Sequence, residues 1–268
     1  MKAKIIPRIF NTPKSKLEEH VPLDTPYSVH IDICSICNFK CNFCFQSDPD
    51  AMKKKGYKYG SMSFELFKKI TDDLAEFKHK IRKVKIGLHG EPTLHPELPK
   101  MIKYLKSKNV TGIIELFTNG SLLNPKLNRE LIAAGLDQVN MSIEGLTAEK
   151  YREVTGAALD MEKFVENIRD LYNNRKDCKI YIKIVDINLT KEDKDKFYDT
   201  FGDICDEIFI EMSCRNGMKS TNLMWILPEC TGRRLTGIRR FARFLLCTCI
   251  LILTGQPAPA PWTGVNRS

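Results

Sequence analysis

Strand-like and helix-like stretches alternate along this chain from residue 27 to residue 212, and that alternation restricts the fold more than any other feature. The expected strands are residues 27–33, 83–88, 112–118, 138–143, 179–185 and 207–212. Between them lie stretches with helical spacing at 64–74, 97–106, 127–134, 148–154, 161–172 and 191–201, with Ser63 reading as the N-cap of the first and Gly135 as a stop. Strict alternation gives an α/β fold with a parallel sheet and right-handed crossovers, as a full barrel or a partial one. Six units are two short of a closed eight-stranded barrel. Residues 1–26 hold Pro7, Pro13, Pro22 and Pro26 and read as an extended lead-in.

Ligands of such sheets gather at the carboxyl ends of the strands. Those ends carry Cys37, Cys41 and Cys44, then Gly90-Glu91-Pro92, Thr118-Asn119-Gly120 and Ser142-Ile143-Glu144-Gly145. Three thiolates spaced four and three residues apart on a short loop can converge on a compact inorganic cluster. Four would saturate a [4Fe-4S] cube, so three leave one iron open to a ligand. The competing reading joins Cys34 with Cys37 and Cys41 with Cys44 as a four-cysteine zinc knot in a binding module without catalysis. Only three residues separate those pairs, well short of the usual zinc-ribbon spacing.

A disulfide framework does not suit a chain that opens Met-Lys-Ala-Lys-Ile-Ile-Pro without a sustained apolar run, so the expected compartment is the reducing cytoplasm. The longest apolar run, residues 245–253, is far below the roughly 18 residues of a membrane span, and no membrane partner is expected.

Cys-x3-Cys-x2-Cys with an aromatic, Phe43, before the last cysteine resembles the cluster loop of the radical S-adenosylmethionine (SAM) enzymes. That resemblance implies a partial (β/α)6 TIM-like barrel over residues 27–213, and the count of units agrees. It implies a [4Fe-4S] cluster on Cys37, Cys41 and Cys44, with SAM chelating the open iron and being split by one electron to a 5′-deoxyadenosyl radical. His89-Gly90-Glu91-Pro92 resembles the family's Gly-Gly-Glu-Pro, in which Gly90 and Glu91 would hold the SAM amine; His89 departs from the pattern. Asn119 and Ser142 match positions that reach the SAM ribose or carboxylate, and Phe43 joins this cofactor-binding set. Arg152 is displaced from the family's usual arginine, residues 183–187 should flank adenine, and no catalytic protein residue is singled out. A flavodoxin or ferredoxin is the implied electron donor, and a peptide or small molecule such as a sugar or aminocyclitol the implied substrate. Cys178 and Cys205 read as packed thiols.

The formal charge of +9 is concentrated at one end. From Cys214 onward eight Lys or Arg face a single acid, Glu229. A basic arm for nucleic acid lacks interleaved aromatics, and no nucleic acid partner is expected. Residues 214–268 carry both tryptophans and fit neither a strand nor a helix template. Read one base out of register, Phe241 to Phe244 can spell Cys-Pro-Phe, the opening of the SPASM or twitch auxiliary-cluster domains of related families. The expectation is therefore a non-native or disordered tail, out of frame from near residue 214, standing where a SPASM/twitch domain would follow, with Cys214, Cys230, Cys247 and Cys249 accidental.

Overall fold

The computed structural model describes residues 1–7, 23–187, 189–212 and 248–251. Its centre is one parallel sheet. The strands are β1 (Lys4–Ile5), β2 (Ser28–Ile31), β3 (Ile81–Ile86), β4 (Thr111–Thr118), β5 (Gln138–Ile143), β6 (Lys179–Asp186), β7 (Glu207–Met212) and β8 (Thr248–Leu251). They are ordered β1-β7-β6-β5-β4-β3-β2-β8, every pair parallel, so the six expected strands lie side by side in chain order. The sheet ends at β1 and β8, as in a partial barrel.

Helices α1 (Pro49–Lys54), α2 (Phe64–Leu74), α3 (Leu98–Lys108), α4 (Pro125–Ala133), α5 (Ala148–Thr155), α6 (Met161–Asn174) and α7 (Lys191–Phe201) fill the connections. Their starts follow from capping chemistry, in which a side-chain oxygen accepts from an otherwise unpaired first-turn N–H. Ser63 accepts from Leu66 N, Asn124 from Leu127 N, Thr147 from Lys150 N and Asp160 from Lys163 N. Thr190 and Asp193 make a reciprocal capping box on α7. Alternate strand residues, among them Ile114, Leu116, Val139, Met141, Ile180 and Ile182, are wholly buried with helix residues such as Phe67, Ile102, Leu131 and Ile168. A two-residue period then puts Glu115, Phe117, Gln138, Asn140, Ser142, Tyr181 and Lys183 on the opposite face, away from the helices.

Three expectations change. The strand expected at 83–88 sits two residues earlier, because Gly87 turns at φ +81 with Pro92 Cγ only 2.7 Å from where a Cβ would stand. The stretch after the cysteines, expected as a polar loop, contains α1, capped by Asp48 and started by Pro49. Thr248–Leu251, in a tail expected to hold no regular element, pairs with β2 from Ser28 to Ile31. An open edge of unpaired backbone groups accepts such a short strand of high β-propensity. The rest of the tail, and with it Cys214, Cys230 and Cys247, lies outside the described residues.

Candidate active site at the strand ends

The loop after β2 is held in place from both sides. Lys40 N and Asn42 N donate to the carbonyls of Thr155 (2.8 Å) and Val154 (2.9 Å) at the end of α5, and Phe39 packs edge-on to Tyr151 with centroids 6.1 Å apart. The helix thereby finds partners for carbonyls its own ladder leaves open. Cys37, Cys41 and Cys44 are half-buried free thiols on this loop. Burial raises the pKa of each, and the charges of their neighbours add to it: Glu91 and Cys44 around Cys37, Glu144, Cys44 and Cys37 around Cys41, Glu144 around Cys44. All three keep partial exposure on this one loop. Cys34 does not: it is 2% exposed, with Ser61 Oγ 3.7 Å and Ile36 O 3.6 Å from its sulfur. The four-cysteine zinc alternative thus lacks its fourth ligand, and among the described residues no three His, Cys, Asp or Glu side chains could hold a single metal ion.

The turn after β3 is stitched to this loop. Gly90 adopts φ +73, and a Cβ there would collide with Cys34 O and stand 2.8 Å from Ile36 O, so only glycine fits. Gly90 N donates to Gln46 Oε1 (3.0 Å) and Glu91 N to Ile36 O (2.8 Å). His89, the departure from the expected glycine, is pinned by Asp32: its ring Nδ1 lies 2.6 Å from Oδ2, while Leu88 N (2.6 Å) and His89 N (3.0 Å) donate to Oδ1. Burial pushes the Asp32 carboxyl up, but the His89 and Leu88 bonds outweigh it and hold it below its ordinary value.

Glu91 sits at 1% exposure. Its Oε1 accepts from Thr93 N (3.0 Å), Thr93 Oγ1 (2.6 Å) and Thr118 Oγ1 (2.7 Å), and its Oε2 from Asn119 N (2.7 Å). These bonds tie the end of β3 to the end of β4; three of them crowd Oε1, and of the about four acceptor positions of a carboxylate one on Oε2 stays open. Asn119 is likewise engaged, with Nδ2 donating to Asn38 Oδ1 (2.9 Å) and lying 3.9 Å from Cys37 Sγ.

Ser142 is half-buried on the helix-free face, paired in register with Lys183. Lys183, from the stretch expected to flank adenine, has its Nζ 2.6 Å from Glu211 Oε2, and Glu144, from the motif after β5, stands near it; the sequence assigned neither a role of its own. Burial raises Glu144 to about 7, and Lys183 pulls it back. A cavity of about 320 Å³ opens here, lined by Phe43, Ile143, Glu144, Gly145, Ile184 and Val185 among others. Phe43 from the loop and Ile184, Val185 and Ile187 from β6 and its exit share that lining; Gly90, Asn119 and Ser142 lie outside it. Arg152 is exposed on α5. Deeper on the same face Asn140 is 4% exposed, its Oδ1 accepting from Gln138 Nε2 (2.9 Å) and its Nδ2 without a hydrogen-bond partner. Cys178 and Cys205 are buried, each pushed up to about 12 by burial, as packed thiols should be.

A parallel, partly closed β/α barrel with three free thiols on the loop after one strand and a polar cleft across the strand ends defines a class of proteins that carry an iron–sulfur cluster at the barrel mouth. The sequence profile of the radical SAM superfamily matches residues 31–202, and the chain belongs to that superfamily, whose enzymes use a [4Fe-4S] cluster and SAM. Similar curated proteins include the Probable GTP 3′,8-cyclases of Metallosphaera sedula (32% identical over 145 residues, 54% of this chain and 42% of the relative) and Methanococcus vannielii (36% over 141 residues, 53% and 43%). A third is the tungsten-containing aldehyde ferredoxin oxidoreductase cofactor-modifying protein of Pyrococcus furiosus (30% over 150 residues, 48% and 40%). The chain spans less than half the length of these relatives. Among solved structures, Streptococcus suis SuiB bound to SAM shares the fold with a TM-score of 0.59 at 16% identity, over 76% of this chain and 44% of that one. Native anSMEcpe with bound AdoMet aligns with a TM-score of 0.52 at 25% identity, over 69% and 51%. No helix among the described residues is long and apolar enough to cross a membrane.

Proposed function

We propose that Cys37, Cys41 and Cys44 hold a [4Fe-4S] cluster on which SAM is reductively cleaved, and that the resulting radical abstracts a hydrogen atom from a substrate lying against the helix-free face of the sheet. The observation that carries this is the set of three free, half-buried thiols on one short loop, with Cys34 buried against Ser61, beside a turn that admits only glycine. The donor set fits the group: soft thiolates for iron, one side left open, and polar atoms around it. When bound, the cluster supplies the electron that splits the sulfonium. The chain's part is to bind, orient and exclude water.

Backbone groups around Gly90 would take the SAM amine, with Glu91 fixing that backbone. Ser142, Lys183 and Glu144 would offer a hydroxyl, a cation and a carboxylate to the ribose and carboxylate of SAM, and the Phe43 cavity would take the adenine. Asn119 would hold the loop at Cys37 rather than reach SAM with its side chain.

The peptide or sugar/aminocyclitol substrate implied by the family resemblance is joined by a purine nucleotide, because curated relatives at 32–36% identity are named for GTP. All three are rich in hydrogen-bond acceptors, which the buried orphan donor of Asn140 calls for. The intact protein, on this reading, continues from near residue 214 into a SPASM/twitch domain; independent clones sequenced without a missing or extra base there would end that part of the proposal.

Anaerobic reconstitution tests the core reading. The expected result is a brown iron protein that converts SAM to 5′-deoxyadenosine and methionine; one colourless zinc per chain would sink it. Deuterium carried into 5′-deoxyadenosine from labelled GTP, peptide or aminocyclitol then separates the substrates.

A further inference from the structure

Resting on the cluster reading above, we propose that the exposed lysines 53, 54, 55 and 58, folded back against the cysteine loop beside Cys44, form the docking surface for an acidic one-electron carrier protein that reduces the cluster. An electron must reach the cluster from a side that SAM and substrate leave open. The cavity lies toward β5 and β6, and nothing from residues 45–60 lines it. These residues follow Cys44, run through α1, and return to pair at Cys34 with Ser61.

The return brings Tyr57, which stands between Lys55 and Lys58, within one residue of Cys44. Gln46 N donates to Cys44 Sγ (3.4 Å), and Gln46 Nε2 lies 3.1 Å from Tyr57 Oη. Phe45 and Tyr57 meet edge to face at 6.3 Å, Tyr57 and Tyr59 at 5.0 Å, and Ser35 Oγ lies 3.4 Å from Lys58 O. The segment is therefore packed onto the loop and is not a free arm.

Its cations are clustered and weakly paired. Lys69, Lys100, Lys106, Lys108, Lys150 and Lys194 each lie 2.5 to 2.9 Å from a carboxylate, whereas Lys103, Lys163, Lys191 and Lys196 stand scattered on other helices without an ion pair among the described residues. On this segment Asp48 caps α1 and Asp50 stands 3.9 Å from Lys53, while Lys54, Lys55 and Lys58 have no ion pair among the described residues. Exposed cations without local partners project a field that steers an acidic protein and set its orientation, with little added affinity. In the step itself one electron passes from the carrier's flavin hydroquinone, which becomes the semiquinone, to the oxidised cluster, which falls from the 2+ to the 1+ state.

The test compares two reductants on the cluster-loaded chain by anaerobic stopped flow: reduced flavodoxin, and photoreduced deazaflavin, which is small and uncharged. The Lys54→Glu, Lys55→Glu, Lys58→Glu triple variant should lower the ratio of the two bimolecular rates about 10-fold or more at low ionic strength, the lower end of electrostatic steering effects. The gap should close as salt rises toward about 1 M, where the screening length is roughly 3 Å. Calorimetric affinity for oxidised flavodoxin should fall in parallel. A matched reversal at Lys69, Lys100 and Lys126 should leave the ratio alone. The proposal is overturned by an unchanged ratio, by a loss independent of salt, or by an equal loss in the matched reversal, and the Gln versions of the same three lysines decide if the Glu variant loads no iron. Failure of the wild-type chain to take up iron at all would instead refute the cluster reading.

Discussion

Replacing Glu91 by glutamine separates two roles for this side chain, ligand of the SAM amine or tie between strand ends. Glutamine keeps the shape but turns one acceptor into an NH2 donor. With that NH2 at the Oε2 position it faces Asn119 N; at the Oε1 position it faces Thr93 N, whose hydroxyl neighbours can rotate to accept but which itself cannot. One backbone N–H is orphaned either way at a site 1% exposed. A buried unsatisfied donor costs roughly 1–3 kcal/mol, and the surviving bonds lose their charge assistance, so a total of about 3 kcal/mol is expected after the relief of an uncharged side chain. That corresponds to a Tm lower by roughly 6–12 °C in a domain of this size. The assay is thermal and urea unfolding of the cluster-loaded protein without SAM, followed by SAM binding. The tie predicts lost stability in the absence of SAM, with weaker SAM binding following from it. An unchanged unfolding midpoint with SAM affinity alone reduced would refute the tie and favour the ammonium contact.

Single Cys37→Ser, Cys41→Ser and Cys44→Ser variants should each lose the iron chromophore after reconstitution, whereas Cys34→Ala should retain wild-type iron, measured by iron content and absorbance. Gly90→Ala should cost more than the about 1–3 kcal/mol of an ordinary left-handed strain, because its Cβ also meets Cys34 O, and urea unfolding reads the loss. Glu144 has an ordinary value of 4.5 raised by burial to about 7, so the folded state binds more protons than the unfolded one between those pH values. Stability of the cluster-free protein should therefore fall as pH rises through that window, by about 3 kcal/mol at most, and Glu144→Gln should flatten the curve; a wild-type curve flat over the window would contradict the burial argument.

Strand order and the positions of the polar loops were legible because a parallel sheet built by short crossovers leaves few alternatives once the period-two and period-3.6 segments are placed. Gly87 was misplaced because a glycine at the end of an apolar run gives no sign of its φ until Pro92 is seen packing against it. β1 and β8 escaped notice because two- and four-residue edge strands are defined by the neighbour they pair with, not by their own pattern. Within the site, residue types and order were readable, but their bonding was not. Lys183 enters the site because register sets it opposite Ser142, a signal that alternation could have supplied once β5 and β6 were known to be neighbours. Cys34 is excluded by its bridge to Ser61, and no spacing rule distinguishes it from Cys37.

The way the rim is joined explains why the loop can present three thiols without a fourth. Gln46 holds Gly90 N through its oxygen and Ser35 O (3.2 Å) and Tyr57 Oη through its nitrogen, so one buried amide spans the cysteine loop, the turn after β3 and the returning segment. Glu91 then passes the constraint to β4, Asn119 returns it to Asn38 beside Cys37, and α5 clamps Lys40 and Asn42 from the other side. Most of these links are short bonds to backbone, which hold the loop in place before any ligand arrives and so lower the ordering cost of binding. A fourth sulfur in this frame would close the open side. The bridge from Cys34 to Ser61 keeps that sulfur buried, and the same bridge returns the lysine-bearing segment to the cysteine loop. Exclusion of one thiol and placement of the basic surface are thus consequences of a single backbone contact.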